Sequence, residues 1–200
     1  MNQDKNPSSK HQNQQIALDL LLKRKSHNRL GGQALTKEQL ETLFQAAFRA
    51  PDHAQLKPWR YQVYSGQSLA KLGDYFIEAS KAESETQLTS EQLEKIHNKA
   101  LRAPTLIVAY LSPKEHPKVP HVEQVLSLGA SIQNLLMAAH FLGVGAIWRS
   151  GKLCFNPHLA KLLGLKTHES LLGFIYLGEK EGTKRPVPEV EQSQLVSYID

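Results

Sequence analysis

The stretch His121 to Gly151, HVEQVLSLGASIQNLLMAAHFLGVGAIWRSG, constrains this chain more than any other. Apolar residues recur in it at helical spacing (Val122, Val125, Leu128, Ile132, Leu135, Leu136, Ala139, Leu142), and beyond Ile132 they occupy nearly the whole circumference. A helix apolar all round has to be enclosed on all sides. At Gly143-Val144-Gly145 the glycines accept the positive φ that stops a helix, and Ala146, Ile147 and Trp148 then read as a strand. The stretch therefore predicts a buried helix, a tight turn, and a strand that delivers Arg149 and Ser150 at its end. Guanidinium forks and hydroxyls satisfy phosphate oxygens, so a phosphate-bearing ligand accounts for that pair. An arginine paired with a surface carboxylate is the plainer alternative.

Two hundred residues with an ordinary apolar fraction suit one domain with a proper core. No run of about 18 uncharged apolar residues is present, and the polar N-terminus lacks the hydrophobic region of a signal peptide. The expectation is a cytoplasmic chain with no membrane contact. Cys154 is the only cysteine and has no partner for a disulfide or a zinc site. Of the 24 Lys/Arg and 19 Asp/Glu, ten cations and five carboxylates fall in residues 1–60, so the whole surplus of +5 sits there. Such localisation favours a specific anionic ligand. With no basic run interleaved with aromatics, no nucleic-acid partner is expected.

Residues 1–14 read as a flexible polar extension, and residues 15–200 as a single domain. Ile16 opens a helix that ends in the cationic cluster Lys23 to Arg29. Thr36 and Gln39 have the spacing of a capping box ahead of Leu40, Leu43, Phe44 and Ala47, and Pro51 closes that segment. Arg49 through Trp59 is a donor-rich loop fixed by two prolines, the kind that lines sites. Arg60–Tyr64, Pro104–Leu111 and Leu171–Gly178 read as strands, the last two as core strands. Two charged helices lie between Ser68 and Leu101, broken near Thr86–Thr89, and Asn156-Pro157 opens a short helix that Gly164 stops. The tail from about residue 179, with Pro186, Pro188 and a late apolar patch, reads as an extended arm.

The familiar catalytic motifs fail. Gly143-Val144-Gly145 is followed by Trp148 where a dinucleotide fingerprint has its third glycine, and it follows a helix rather than a strand. Gly151-Lys152 lacks the first glycine and the hydroxyl of a P-loop. Ser131 sits inside a helix without the final glycine of a nucleophile elbow. His116, His121 and Glu123 lack metal-ligand spacing and read as solvated loop residues; no metal is expected.

Six segments in order nonetheless resemble the nitroreductase family of FMN flavoproteins, over about residues 15–190. They are Arg24-Lys25-Ser26 after the first helix, Arg49-Ala50-Pro51-Asp52-His53 with Pro58-Trp59, Arg102-Ala103-Pro104 before a core strand, His116 to Pro120, Gly145 to Gly151, and Gly173-Phe174-Ile175-Tyr176-Leu177-Gly178. The resemblance implies an α+β fold in which helices surround a mostly antiparallel central sheet. It also implies an intertwined homodimer whose C-terminal arms, here about 179–200, cross to the partner, with FMN at each subunit interface. Carried over by residue, Arg24, Lys25 and Ser26 contact FMN, Arg49 and His53 reach the same flavin, and Trp148, Arg149 and Ser150 complete its site, with Arg24 to Ser26 or Arg49 to His53 supplied by the partner subunit. Lys25 stands where a close branch has arginine, which keeps the charge and loses a bidentate fork. The segment matching Ala138 to Gly143 is assigned to NAD(P)H binding in that branch.

The implied activity is hydride transfer from NAD(P)H through FMN, in a ping-pong relay, to small-molecule electron acceptors such as nitroaromatics, quinones or activated alkenes. Flavin N5 carries that chemistry, so no catalytic side chain is required, in keeping with the absence of a triad or metal cluster. Arg24 or Lys25 is the candidate to stabilise negative charge near N1 and O2, and Arg149 with Ser150 the candidate for the 5′-phosphate. A flavin-binding sensor or carrier with little turnover is the alternative. A basic-arm nucleic-acid binder using residues 1–29 is a more distant one.

Overall fold

A computed structural model of the chain describes residues 7–182, 186, 187 and 189–199. The chain divides into two compact units, Met1–Lys25 with Gly182–Asp200, and Ser26–Glu181. In the smaller unit, α1 runs from Pro7 to Lys23 and so starts well before Ile16. Proline is favoured at a first helical position, and the Lys, Gln and Leu residues that follow are good helix formers, so no apolar stripe was needed. Asp19 accepts from Gln15 and Lys23, each one turn away at 2.9 Å. Those contacts hold its carboxyl below the usual range, the Lys23 hydrogen bond foremost. The C-terminal segment contributes one short 3-10 turn, Gln192–Gln194. Pro188 and the first six residues lie outside the described residues.

The larger unit is built on a sheet of β1 (Leu30–Gly31), β2 (Trp59–Ser65), β3 (Thr105–Leu111), β4 (Gly145–Arg149) and β5 (Ser170–Lys180). Its order is β1-β5-β3-β2, β4 also pairs with β5, and every pairing is antiparallel. Alternation along the two inner strands explains why they read as unbroken apolar runs: both faces are covered. Ile107, Ala109, Leu111, Ile175 and Leu177 meet α2 (Lys37–Ala47) and α5 (His121–Phe141). Leu106, Val108, Phe174 and Tyr176 meet α3 (Gln67–Glu83) and α6 (Pro157–Leu162) on the other side. A register shift between Ala109 and Tyr110 allows for one extra residue in β5.

Helix ends follow the sequence signals. The Thr36 hydroxyl caps Gln39 and the Gln39 side chain returns to Thr36, completing the predicted capping box. Thr89 and Gln92 repeat the device ahead of α4 (Ser90–His97). Gly143 and Gly164 take φ of 77° and 75° after α5 and α6.

The central helix α5 departs from expectation in one respect. Leu128, Ile132, Leu135 and Ala139 are fully buried, but one chain does not enclose its whole circumference: Val122, Leu126 and Phe141 are 60%, 66% and 51% exposed. Cys154, by contrast, is buried in the second core, and burial pushes its thiol from 9.0 up to about 11. The folded state thus favours the neutral thiol, and its contribution to stability is lost as pH rises from about 9 towards about 11. Native protein at pH 8 should leave Cys154 unmodified by iodoacetamide over an hour, whereas protein in denaturant reacts completely; mass spectrometry reads the difference.

Candidate functional site

Alternation along β4 turns neighbouring residues to opposite faces of the sheet. Trp148 stands opposite Ile175, which belongs to the core under α5, and its indole nitrogen donates to the Leu172 carbonyl at 3.3 Å. A Cβ on Gly173 would lie 2.0 Å from that nitrogen, so the glycine of the GFxYLG segment is what lets the indole lie on β5. Arg149 stands opposite Phe174 on the other face. Its guanidinium donates to the Asn28 side chain at 3.3 Å, while the His27 amide donates to the Ala146 carbonyl at 2.9 Å, tying residues 27–28 along β4.

Arg149 and Ser150 open onto a pocket of about 450 Å³ shared with Lys99, Arg102 and Lys152, over the rings of Phe174 and Tyr176. Among the described residues no carboxylate lines it. Burial, and the Arg102 charge beside it, hold the Lys99 ammonium below its usual pKa. Among the described residues no ion pair involves any of these four cations.

A second, wider groove of about 730 Å³ lies between α2 and β2. Phe48 stacks on Phe44 at 6.0 Å and on Trp59 at 6.2 Å, with Tyr61 tilted against both phenylalanines, and Arg49, Lys57 and Arg60 stand on its rim. The Tyr61 hydroxyl shares a 2.7 Å hydrogen bond with Ser131 of α5. Burial pushes it up to about 12, so it stays protonated across the physiological range.

The loop from Arg49 to Trp59 that borders this groove is held in an unusual backbone. Ala54, Gln55 and Lys57 all have φ between 51° and 57°, a region costly for residues with a side chain. Two contacts pin it: Asp52 accepts from the Lys57 amide at 2.6 Å, and His53 Nδ1 meets Glu123 of α5 at 2.6 Å. Glu123 is thus a helix residue in contact with His53 rather than the solvated loop residue expected; the contact spans 70 positions and has no local signature.

The site residues expected from sequence are therefore distributed. Arg24 and Lys25 follow α1 and are half-buried, and Ser26 is exposed. Arg49 and His53 belong to the loop bordering the aromatic groove, Arg149 and Ser150 to the cationic pocket, and the groove and pocket share no lining residue. No cluster of three or more His, Cys, Asp or Glu suited to a metal occurs among the described residues.

Comparison with known families decides what this arrangement belongs to: the model described as "Nitroreductase family" matches residues 21–179. The chain belongs to the nitroreductase family. A curated relative, "Putative NAD(P)H nitroreductase YdjA" of Escherichia coli (strain K12), is 34% identical over 176 residues, 86% of this chain and 94% of that one. The solved structure of a nitroreductase-like family protein from Bacillus cereus superposes with a TM-score of 0.77 at 24% identity, covering 92% of this chain and 95% of that chain. A nitroreductase with bound FMN from Bacteroides fragilis NCTC 9343 gives 0.69 at 18% identity, over 92% and 98% of the two chains. The fold of this nitroreductase is thus the expected α+β arrangement.

One expected ligand segment of this nitroreductase has little surface to offer. Ala138 and Ala139 are buried in α5, and only Phe141 and Leu142, both apolar, are well exposed before Gly143. Among the described residues, no helix is long and apolar enough to cross a membrane.

Proposed function

We propose that the protein is an FMN-dependent NAD(P)H oxidoreductase acting on small electron-poor acceptors. The observation that carries this reading is the pairing of two complementary surfaces. A flat heteroaromatic ring suits an aromatic groove rimmed by cations, and a phosphate suits the carboxylate-free pocket around Arg149. The donor set therefore fits FMN. Bound FMN supplies a ping-pong hydride relay from NAD(P)H to nitroaromatic, quinone or activated-alkene acceptors. The names of the YdjA relative and of the FMN-bound structure support it.

In this reading Trp148, Arg149 and Ser150 of one subunit and Arg49 and His53 of its partner hold one FMN, Arg149 and Ser150 taking the 5′-phosphate. Arg24, Lys25 and Ser26 are assigned as flavin contacts on the resemblance. Glu123 orients the His53 ring by accepting a hydrogen bond from its Nδ1–H, which leaves Nε2 for a ligand. The strained loop keeps Arg49 and His53 on a rigid frame. A homodimer in the cytoplasm completes the proposal, with residues 15–200 acting as one flavin-binding domain. Exposed apolar surface supports association within each unit considered by itself: Ile16, Leu18, Leu22, Leu195 and Ile199 in the smaller, Val122, Leu126 and Phe141 in the larger.

The test is the absorption spectrum of purified protein, recorded without oxygen before and after NADPH. Flavin bands that bleach within the mixing time and return on adding a quinone are the expected result. Slow bleaching with both NADH and NADPH would leave a sensor or carrier, and a colourless dimer that takes up no added FMN sinks the assignment.

A further inference from the structure

The cationic pocket holds more positive charge than the flavin reading uses. Lys99 follows α4, Arg102 precedes β3 and Lys152 opens the turn after β4, yet the fold gathers all three beside Arg149 over Phe174 and Tyr176. We propose that Lys99, Arg102 and Lys152 bind the 2′-phosphate of NADPH and make this enzyme select NADPH over NADH. The inference rests on the flavin reading above and adds to it the choice of reductant.

Three observations carry it. A phosphate monoester has up to two charges, of which Arg149 offsets one at the flavin while Ser150 adds a neutral donor; even if one further cation completes that balance, two of Lys99, Arg102 and Lys152 are left over, and among the described residues no carboxylate lines the pocket to meet them. Like charges held together repel, and burial first, with the Arg102 charge second, lowers the proton affinity of Lys99. The chemistry of the seat also separates the two reductants. In Rossmann-type folds an NADH site holds the adenosine 2′-hydroxyl with a carboxylate and an NADPH site meets the 2′-phosphate with arginine, and the same charge chemistry applies to a 2′-phosphate on any fold. Here every charged group among the described lining residues is a cation.

Position agrees with that chemistry. The pocket opens on one side of the strand end whose other side carries Trp148, so a dinucleotide can put its adenosine end here and its nicotinamide end against the flavin. The volume of about 450 Å³ takes a phosphate and part of its adenosine. The buried Ala138 and Ala139 provide no such seat.

The experiment uses FMN-loaded enzyme and a quinone acceptor. Replacing Lys99→Ala and Arg102→Ala together should raise KM for NADPH by roughly tenfold or more, leave KM for NADH within about twofold, and leave FMN content unchanged. Adenosine 2′,5′-bisphosphate should inhibit the wild-type enzyme against NADPH where 5′-AMP does not, and the double variant should lose that inhibition. This second measurement begins with the unaltered protein, so it stands even if the variant folds poorly. Equal changes for both reductants, no change for either, equal inhibition by both adenosine phosphates, or loss of FMN from the variant each overturn the assignment. Protein that never binds FMN fails the flavin reading instead, and the two failures are told apart by colour alone.

Discussion

Arg149→Ala should leave a protein that loses its flavin during gel filtration. On the proposed assignment its guanidinium makes a charge-assisted contact with the FMN phosphate, and such a contact contributes about 1.5–3 kcal/mol, or roughly 10- to 150-fold in affinity. Asn28, its hydrogen-bond partner at 3.3 Å, cannot substitute, since an amide carries no charge. Two controls sharpen the expectation. Riboflavin, which has no phosphate, should bind wild type and variant alike, and Arg149→Lys should recover part of the affinity because it keeps the charge and loses the fork. Stoichiometric FMN retained by Arg149→Ala after dilution and filtration would remove Arg149 from the flavin site.

Phe76→Ala is expected to be the most destabilising single truncation. Phe76 is fully buried in α3 and meets Phe174 edge to face, ring centroids 5.2 Å apart. Removing a buried phenyl ring costs about 3–5 kcal/mol, which in a chain of this size lowers Tm by roughly 10 °C. Phe174 also lies beneath the cationic pocket, so the cavity would loosen the floor on which Arg149 and Lys99 are arranged. Phe76→Leu should cost less than half as much. A calorimetric Tm within about 3 °C of wild type for the alanine variant would mean that α3 collapses into the space, contrary to the close packing described.

Local signals carried most of the fold. The Thr36–Gln39 capping box obeys short-range rules, as do the turns after α5 and α6 and the two-sided burial of β3 and β5, so the residues themselves announce them, whereas the Thr89–Gln92 box is a finding of the structure. The start of α1 was hidden because that helix lacks an apolar stripe, leaving residues 7–15 looking like an extension. The all-apolar pattern of α5 says that a face is covered and not by which chain, so the exposure of Phe141 and Leu142 in one chain has no local signature. The site was legible only in part. Arg49, His53 and Arg149 stand in recognisable segments, but Lys99 and Arg102 come from the α4–β3 connection and Lys152 from the turn after β4, and only the antiparallel pairing of β3, β5 and β4 brings the two connections together. Likewise nothing near His53 in sequence points to Glu123.

The alternation of β4 makes its reading frame a functional quantity. Deleting one residue before Trp148 would exchange its two faces, sending the indole towards the cations and the guanidinium towards the α5 side. The fold guards against this at Gly145, which lies opposite Gly178: a Cβ there would meet the Leu30 side chain at 2.6 Å and the Gly178 carbonyl at 3.1 Å. A slipped strand would have to place a side chain in that space. Two facing glycines thus act as a ratchet tooth that decides which face of the sheet each residue of the strand presents.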